Sequence, residues 1–100
     1  MADCCLTLVC SPSLQEKVFD ALLEQPGIAS FTSTGAAVHG EADASLSAAE
    51  QVLGLRRAVQ VQVLLAAAER DVFRDLLRAR FAGSGLQYWF TAVLEEGTLA

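Results

Sequence analysis

The side chains in this 100-residue chain that could do specific chemistry gather between Gly35 and Ala58. His39, the only histidine, is followed at once by Gly40 and then by Glu41 and Asp43. One imidazole falls short of the three or four ligands of a zinc site. Glu41 and Asp43 could add oxygens, and several copies of the chain could each bring a His39. The plainer reading of His39 is an exposed loop residue. Further on, Ser45, Ser47, Glu50, Gln51, Arg56 and Arg57 are candidates for contact with a partner protein. Glu50 lies three residues after Ser47, the spacing of a capping box, in which hydroxyl and carboxylate satisfy free helix-start amides. A short helix there places Leu46, Ala49, Val52 and Leu53 on one apolar face. Such a stripe docks on a partner or packs within the chain's own assembly.

Outside this stretch the signals are thinner. Cys4 and Cys5 resemble a metal dyad, but neighbours on a strand face opposite sides and cannot chelate one ion. Cys10 shares a side with Cys4 at the far end of the same strand, so the cysteines read as small buried hydrophobes. Gly83-Ser84-Gly85 could turn amides toward an anion, or simply stop a helix. Tyr88 and Trp89 could stack a flat ligand, or pack in a core or interface. Glu95 and Glu96 read as a solvated tail. No nucleophile–base or carboxylate pair points to an enzyme.

The elements that must position these groups follow from periodicity. Cys4 to Cys10 is a short apolar strand. Ser13 and Glu16 suggest a capped helix carrying Leu14, Val18, Ala21 and Leu22 inward, widened by Phe19 and Leu23, and ended by Pro26-Gly27. Ile28 to Val38 reads as a second strand, and 36–58 as a long connection, a length usually functional or disordered. Val59 to Leu65 alternates cleanly, with Val59, Val61, Val63 and Leu65 on one side and Gln60 and Gln62 on the other. A helix from Glu69 to Ala82 turns Val72, Phe73, Leu76, Leu77 and Phe81 inward. Leu86 to Leu94 is the fourth strand. The order predicts an α+β, ferredoxin-like βαββαβ sandwich: an antiparallel four-stranded sheet with two helices on one face. The face left bare should hold Gln60 and Gln62, residues near Thr32, and either Tyr88/Phe90 or Trp89/Thr91/Val93. That mixture suits a subunit interface, most simply around a three-fold axis.

Composition narrows the partners. At 53% apolar residues, with both charge signs present, the chain is a folded single domain and not a disordered one. A net charge of −5 argues against nucleic acid and anionic lipid. No run is long and apolar enough for a transmembrane helix, no basic leader opens the sequence, and there are three cysteines. The expectation is a cytoplasmic protein.

The layout resembles the PII-like superfamily. In PII signal proteins a glycine opens the long T-loop after the second strand, the loop carries an Ala-Glu pair, and an alternating valine strand follows. Gly35, Ala49-Glu50 and Val59-Gln-Val-Gln-Val stand in the matching places, and Gly83-Ser84-Gly85 matches the Gly-x-Gly before the last strand. The chain is more similar still to a small, uncharacterised PII-like family. That family's loop has the form His-Gly, Ser-Leu-Ser-x-Ala-Glu-Gln-Val-x-Gly and paired arginines, with a late Tyr-Trp. Here these are His39-Gly40, Ser45 to Gly54, Arg56-Arg57 and Tyr88-Trp89. The resemblance implies a non-enzymatic, trimeric regulator encoded near heavy-metal cation efflux pumps. A ligand would sit at subunit clefts against Gly35, Gly83, Gly85, Tyr88 and Trp89, and an efflux pump is the implied partner. Leu86 replaces the lysine that meets nucleotide phosphates in PII proteins, and the residues after the fourth strand are acidic where PII proteins are basic. Both departures count against ATP or ADP held in the PII manner. The alternative is a divalent-metal tolerance protein similar to the CutA branch, with His39, Glu41 and Asp43 as ligands.

Overall fold

Residue after residue of β1 (Cys4–Cys10) is apolar or β-branched, and the strand lies at the centre of the sheet because it can bury both faces. The structure is a computed structural model that describes residues 2–28, 30–40 and 46–100. β2 (Thr32–His39), β3 (Leu55–Leu65) and β4 (Gln87–Ala92) complete one sheet in the order β2-β3-β1-β4, with every pair antiparallel. α1 (Gln15–Glu24) follows β1 and α3 (Arg70–Phe81) follows β3, so each crossover spans an intervening strand. This is the expected ferredoxin-like arrangement. A further helix, α2 (Ala48–Leu53), joins β2 to β3.

The core forms where the helices cover the sheet. Leu6, Leu8, Val61 and Val63 meet Val18 and Leu22 of α1 and Phe73 and Leu77 of α3. The alternation of β3 puts Val61, Val63 and Leu65 into this layer as expected. Two residues expected to face inward do not: Leu23 and Val72 are exposed, at the edge of each helix's apolar stripe. α1 also starts differently. A 3-10 turn over Pro12–Leu14 comes first, closed by the Leu14 N–H on the Ser11 carbonyl at 3.0 Å, and α1 has no side-chain cap; the Ser13 hydroxyl instead lies 3.1 Å from that of Ser11, so the expected Ser13–Glu16 box is absent. Pro12, with no N–H to satisfy, starts the turn one residue after the strand. The second strand begins at Thr32, not Ile28. Ile28 and Phe31 instead pack beside the core, with the Phe31 ring 5.3 Å from that of Phe19. The fourth strand is trimmed to Gln87–Ala92.

Two features position the candidate site. First, the connection over 36–58 is a paired ladder for much of its length: Ala36 opposes Ala58 and His39 opposes Leu55. β1 ends opposite Val59. The hairpin therefore overhangs the four-stranded body by four residue pairs, roughly 14 Å at 3.4 Å per residue. Among the described residues of this connection, Gly40 and 46–54 lie outside the ladder. Second, the sheet face away from the helices is bare of helices, although Thr7, Val9 and Ala58 on it are buried. Cross-strand partners share a face. The register gives this face Thr32, Thr34, Ala36 and Val38 of β2, and Arg56, Ala58, Gln60, Gln62 and Leu64 of β3. β1 adds Cys5, Thr7 and Val9, and β4 adds Gln87, Trp89 and Thr91. Among these described residues Arg56 carries the one charge.

Candidate functional site

The hairpin tip is organised by a single carboxylate. The Glu50 N–H donates to the Ser47 hydroxyl at 3.2 Å, and the Ser47 N–H donates back to Glu50 Oε1 at 3.0 Å, which is the predicted capping box. Glu50 Oε2 also accepts from the Arg57 N–H at 2.9 Å, tying α2 to the start of β3. These amide hydrogen bonds hold the Glu50 carboxyl below its ordinary range. Gly54 ends α2 in the left-handed region, φ 71°, where its N–H reaches back to the Glu50 and Gln51 carbonyls. The Gln51 side chain donates to the Leu46 carbonyl at 3.3 Å. No residue of α2 is buried, and Val52 and Leu53 are 88% and 57% exposed. The tip is thus a small capped unit presenting two apolar side chains away from the body.

At the opposite edge of the sheet, the turn after α3 and the start of β4 enclose a cavity of about 200 Å³. Leu77, Phe81, Leu86 and the Tyr88 ring line it together with Arg78, Gly83 and Gly85. Gly83 and Gly85 both take positive φ, near 80°, which lets the chain reverse tightly into β4. The Ser84 hydroxyl donates to the Phe81 carbonyl at 2.6 Å and accepts from the Leu86 N–H at 3.2 Å, so the turn also seals the helix end.

The expected ligand set is therefore divided. Gly83, Gly85 and Tyr88 share a cavity. Trp89 lies on the bare face, because adjacent strand residues point to opposite sides, and it cannot stack with Tyr88 on one flat ligand. Gly35 sits in mid-β2 opposite Val59, with β3 and β1 between it and β4, about 14 Å away at strand spacing. The same alternation splits the arginines: Arg56 is on the bare face and Arg57 on the other. His39 is exposed at the end of β2. Glu41, Asp43 and Ser45 lie outside the described residues. Among the described residues no group of three or more His, Cys, Asp or Glu could hold a metal ion. Cys4 and Cys10 are buried on the helix side, and burial pushes both thiols above their ordinary range. Sequence reasoning missed two features: Arg78 on the cavity wall, and the Glu50–Arg57 bond, a contact across the hairpin that no local spacing encodes.

The whole chain, residues 1–100, matches the model of a family described as a protein of unknown function, DUF3240. This chain belongs to that family. A crystal structure of a DUF3240 family protein from Shewanella baltica OS155 superposes with a TM-score of 0.81 at 16% identity, covering 100% of this chain and 99% of the other. CPII, a nitrogen regulatory PII-like protein from Thiomonas intermedia K12 solved with ADP, AMP and bicarbonate, gives 0.73 at 10% identity over 99% and 98%. A putative PII-like signaling protein from Thermus thermophilus gives 0.63 at 14% over 93% and 87%. At these identities the likeness is one of fold. No curated protein sequence matches the chain. Among the described residues no helix is long and apolar enough to cross a membrane.

Proposed function

We propose that this DUF3240 protein is a non-enzymatic, cytoplasmic PII-like regulator. It assembles as a homotrimer through the bare sheet face, takes a small ligand or metal ion at the clefts between copies, and signals through the hairpin that carries α2. The observation that carries this reading is the overhanging hairpin. Its tip is held by a few hydrogen bonds to one exposed carboxylate and not by the core, so it can order or melt without unfolding the domain. The near absence of charge on the bare face supports association, since interface cores are depleted of charged residues. A cleft between copies would also reunite Gly35 on one sheet edge with the cavity at Gly83, Gly85 and Tyr88 on the other. The family resemblance makes a heavy-metal cation efflux system the partner that Val52, Leu53 and Arg57 would meet.

Sedimentation equilibrium combined with a thermal-shift screen tests this reading. A trimer whose melting temperature rises with one ligand from a panel of adenine nucleotides, copper, zinc and cobalt supports it. A monomer at micromolar concentration refutes it. Within a trimer, a metal effect lost in His39→Ala assigns the ligand to the loop, and a nucleotide effect that survives His39→Ala assigns it to the cleft.

A further inference from the structure

We infer that Asp3 is a clasp that fastens the start of α3 and the exit of β4 to the lead of β1, and that the exit is held only while the Asp3 side chain is anchored. Asp3 stands one residue before β1, the central strand, and contacts three distant parts of the chain. Its N–H donates to the Leu65 carbonyl at 3.3 Å, and its carbonyl accepts from the Val93 N–H at 3.1 Å. These carry the main-chain contacts of β1 one residue past its last pairs, Cys4 with Leu65 and Cys4 with Ala92. The Asp3 Oδ1 accepts from the Ala67 N–H at 2.6 Å, across 64 residues of sequence.

The side-chain contact answers a local deficiency. Ala67–Glu69 form a 3-10 turn that runs into α3, and Ala66 before it has no side-chain oxygen, so this helix start lacks a cap of its own. Amides at a helix start need an acceptor, and a carboxylate there also meets the favourable end of the helix dipole. Asp3 supplies both from the other side of the sheet core. The main chain then carries the effect across. Val93 lies past the end of β4, so its N–H depends on where the Asp3 carbonyl stands. Further along, the Ala2 N–H donates to Glu96 Oε1 at 3.1 Å. Ala2 and Glu96 stand together on the wall of a groove of about 510 Å³ beside the bare face, with Cys5, Gln62 and Leu64. A lead anchored at Asp3 therefore sets that wall as well. Segments that flank a sheet fray unless they are tied down. The short, charge-assisted bond from Ala67 to Asp3 is the tie here.

The test is native-state hydrogen exchange by NMR on the full chain, comparing wild type with Asp3→Ala and Asp3→Asn. Asparagine keeps an acceptor oxygen at the same place. Asp3→Ala should speed exchange at both Ala67 and Val93 about fivefold, the usual effect of losing a helix-cap acceptor, while Val61 and Val63 keep their rates. Val93 is the telling amide, because it bonds to the Asp3 main chain and not to the side chain that is removed. Asp3→Asn should return both amides to within about twofold of wild type. Asp3 is exposed, so neither variant opens a hole in the core. Faster exchange at Ala67 with Val93 unchanged would reduce Asp3 to a helix cap and overturn the clasp. An unchanged Ala67, an equal rise at every amide, or no rescue by asparagine would overturn it too. All these contacts lie within one chain, so failure of the clasp and failure of the trimer reading are separate results.

Discussion

Replacing Ser47 by alanine isolates the energetics of the hairpin tip. The change removes the hydroxyl that accepts the Glu50 N–H at 3.2 Å and leaves the return bond from the Ser47 N–H to Glu50 Oε1 in place. Loss of an N-cap side chain costs about 1 kcal/mol. With half the box intact and water able to reach the freed amide, no larger cost is expected here. A helix of six residues has no stability of its own, so this energy shifts a local opening equilibrium and not global unfolding. At 25 °C it corresponds to an increase of about fivefold in the open population. Native-state hydrogen exchange reads this directly. Amides of Glu50, Gly54 and Arg57 should exchange about five times faster in Ser47→Ala, while those of Val61 and Val63 in the body keep their rates. Unchanged rates at the tip would show that the box does not hold it. Equal acceleration of tip and body would show that the hairpin is not a separate unit, and the switching role would fail with it.

Other perturbations separate body, tip and face. Phe73→Ala, at a fully buried site between helix and sheet, should cost about 3–5 kcal/mol by urea denaturation, whereas Leu23→Ala at an exposed site should stay within about 0.5 kcal/mol. Glu50 has a carboxyl held low in the folded tip, so its contribution is present above the ordinary value of 4.5 and lost as pH falls below it through the depressed one. Chemical shifts of the Ser47 and Arg57 amides should follow that titration and lose it in Glu50→Gln. Trp89, the sole tryptophan, sits on the bare face at 43% exposure, so its emission should move to longer wavelength as the protein is diluted through dissociation. Emission independent of concentration would place Trp89 outside any interface.

Most of the fold was legible because its elements are strongly periodic. The unbroken apolar run of β1 and the valine–glutamine alternation of β3 specify strands and faces without reference to neighbours. The stripe of α3 locates that helix within a residue at each end. The β2–β3 hairpin was only half legible. Gly35-Ala36-Ala37 has little strand propensity, and its pairing comes from backbone groups facing the well-formed start of β3. The Ser47–Glu50 box could be read because both partners lie within one turn. The Ser13–Glu16 box has the same spacing and does not form, because Pro12 starts the turn earlier. Tyr88 and Trp89 are adjacent in sequence and so were grouped as one wall, but the pleat sends them to opposite faces. The division of Gly35 from Gly83 and Gly85 depends on strand order, which appears only when the whole sheet is assembled.

Sedimentation equilibrium of the wild-type chain at micromolar concentration bears most directly on whether the charge-poor sheet face is a meeting surface between copies. A mass three times that of the 10.6 kDa chain is the predicted result, and Trp89→Glu should reduce it to one. A single-chain mass for wild type, or a trimer untouched by a charge placed on that face, would contradict it.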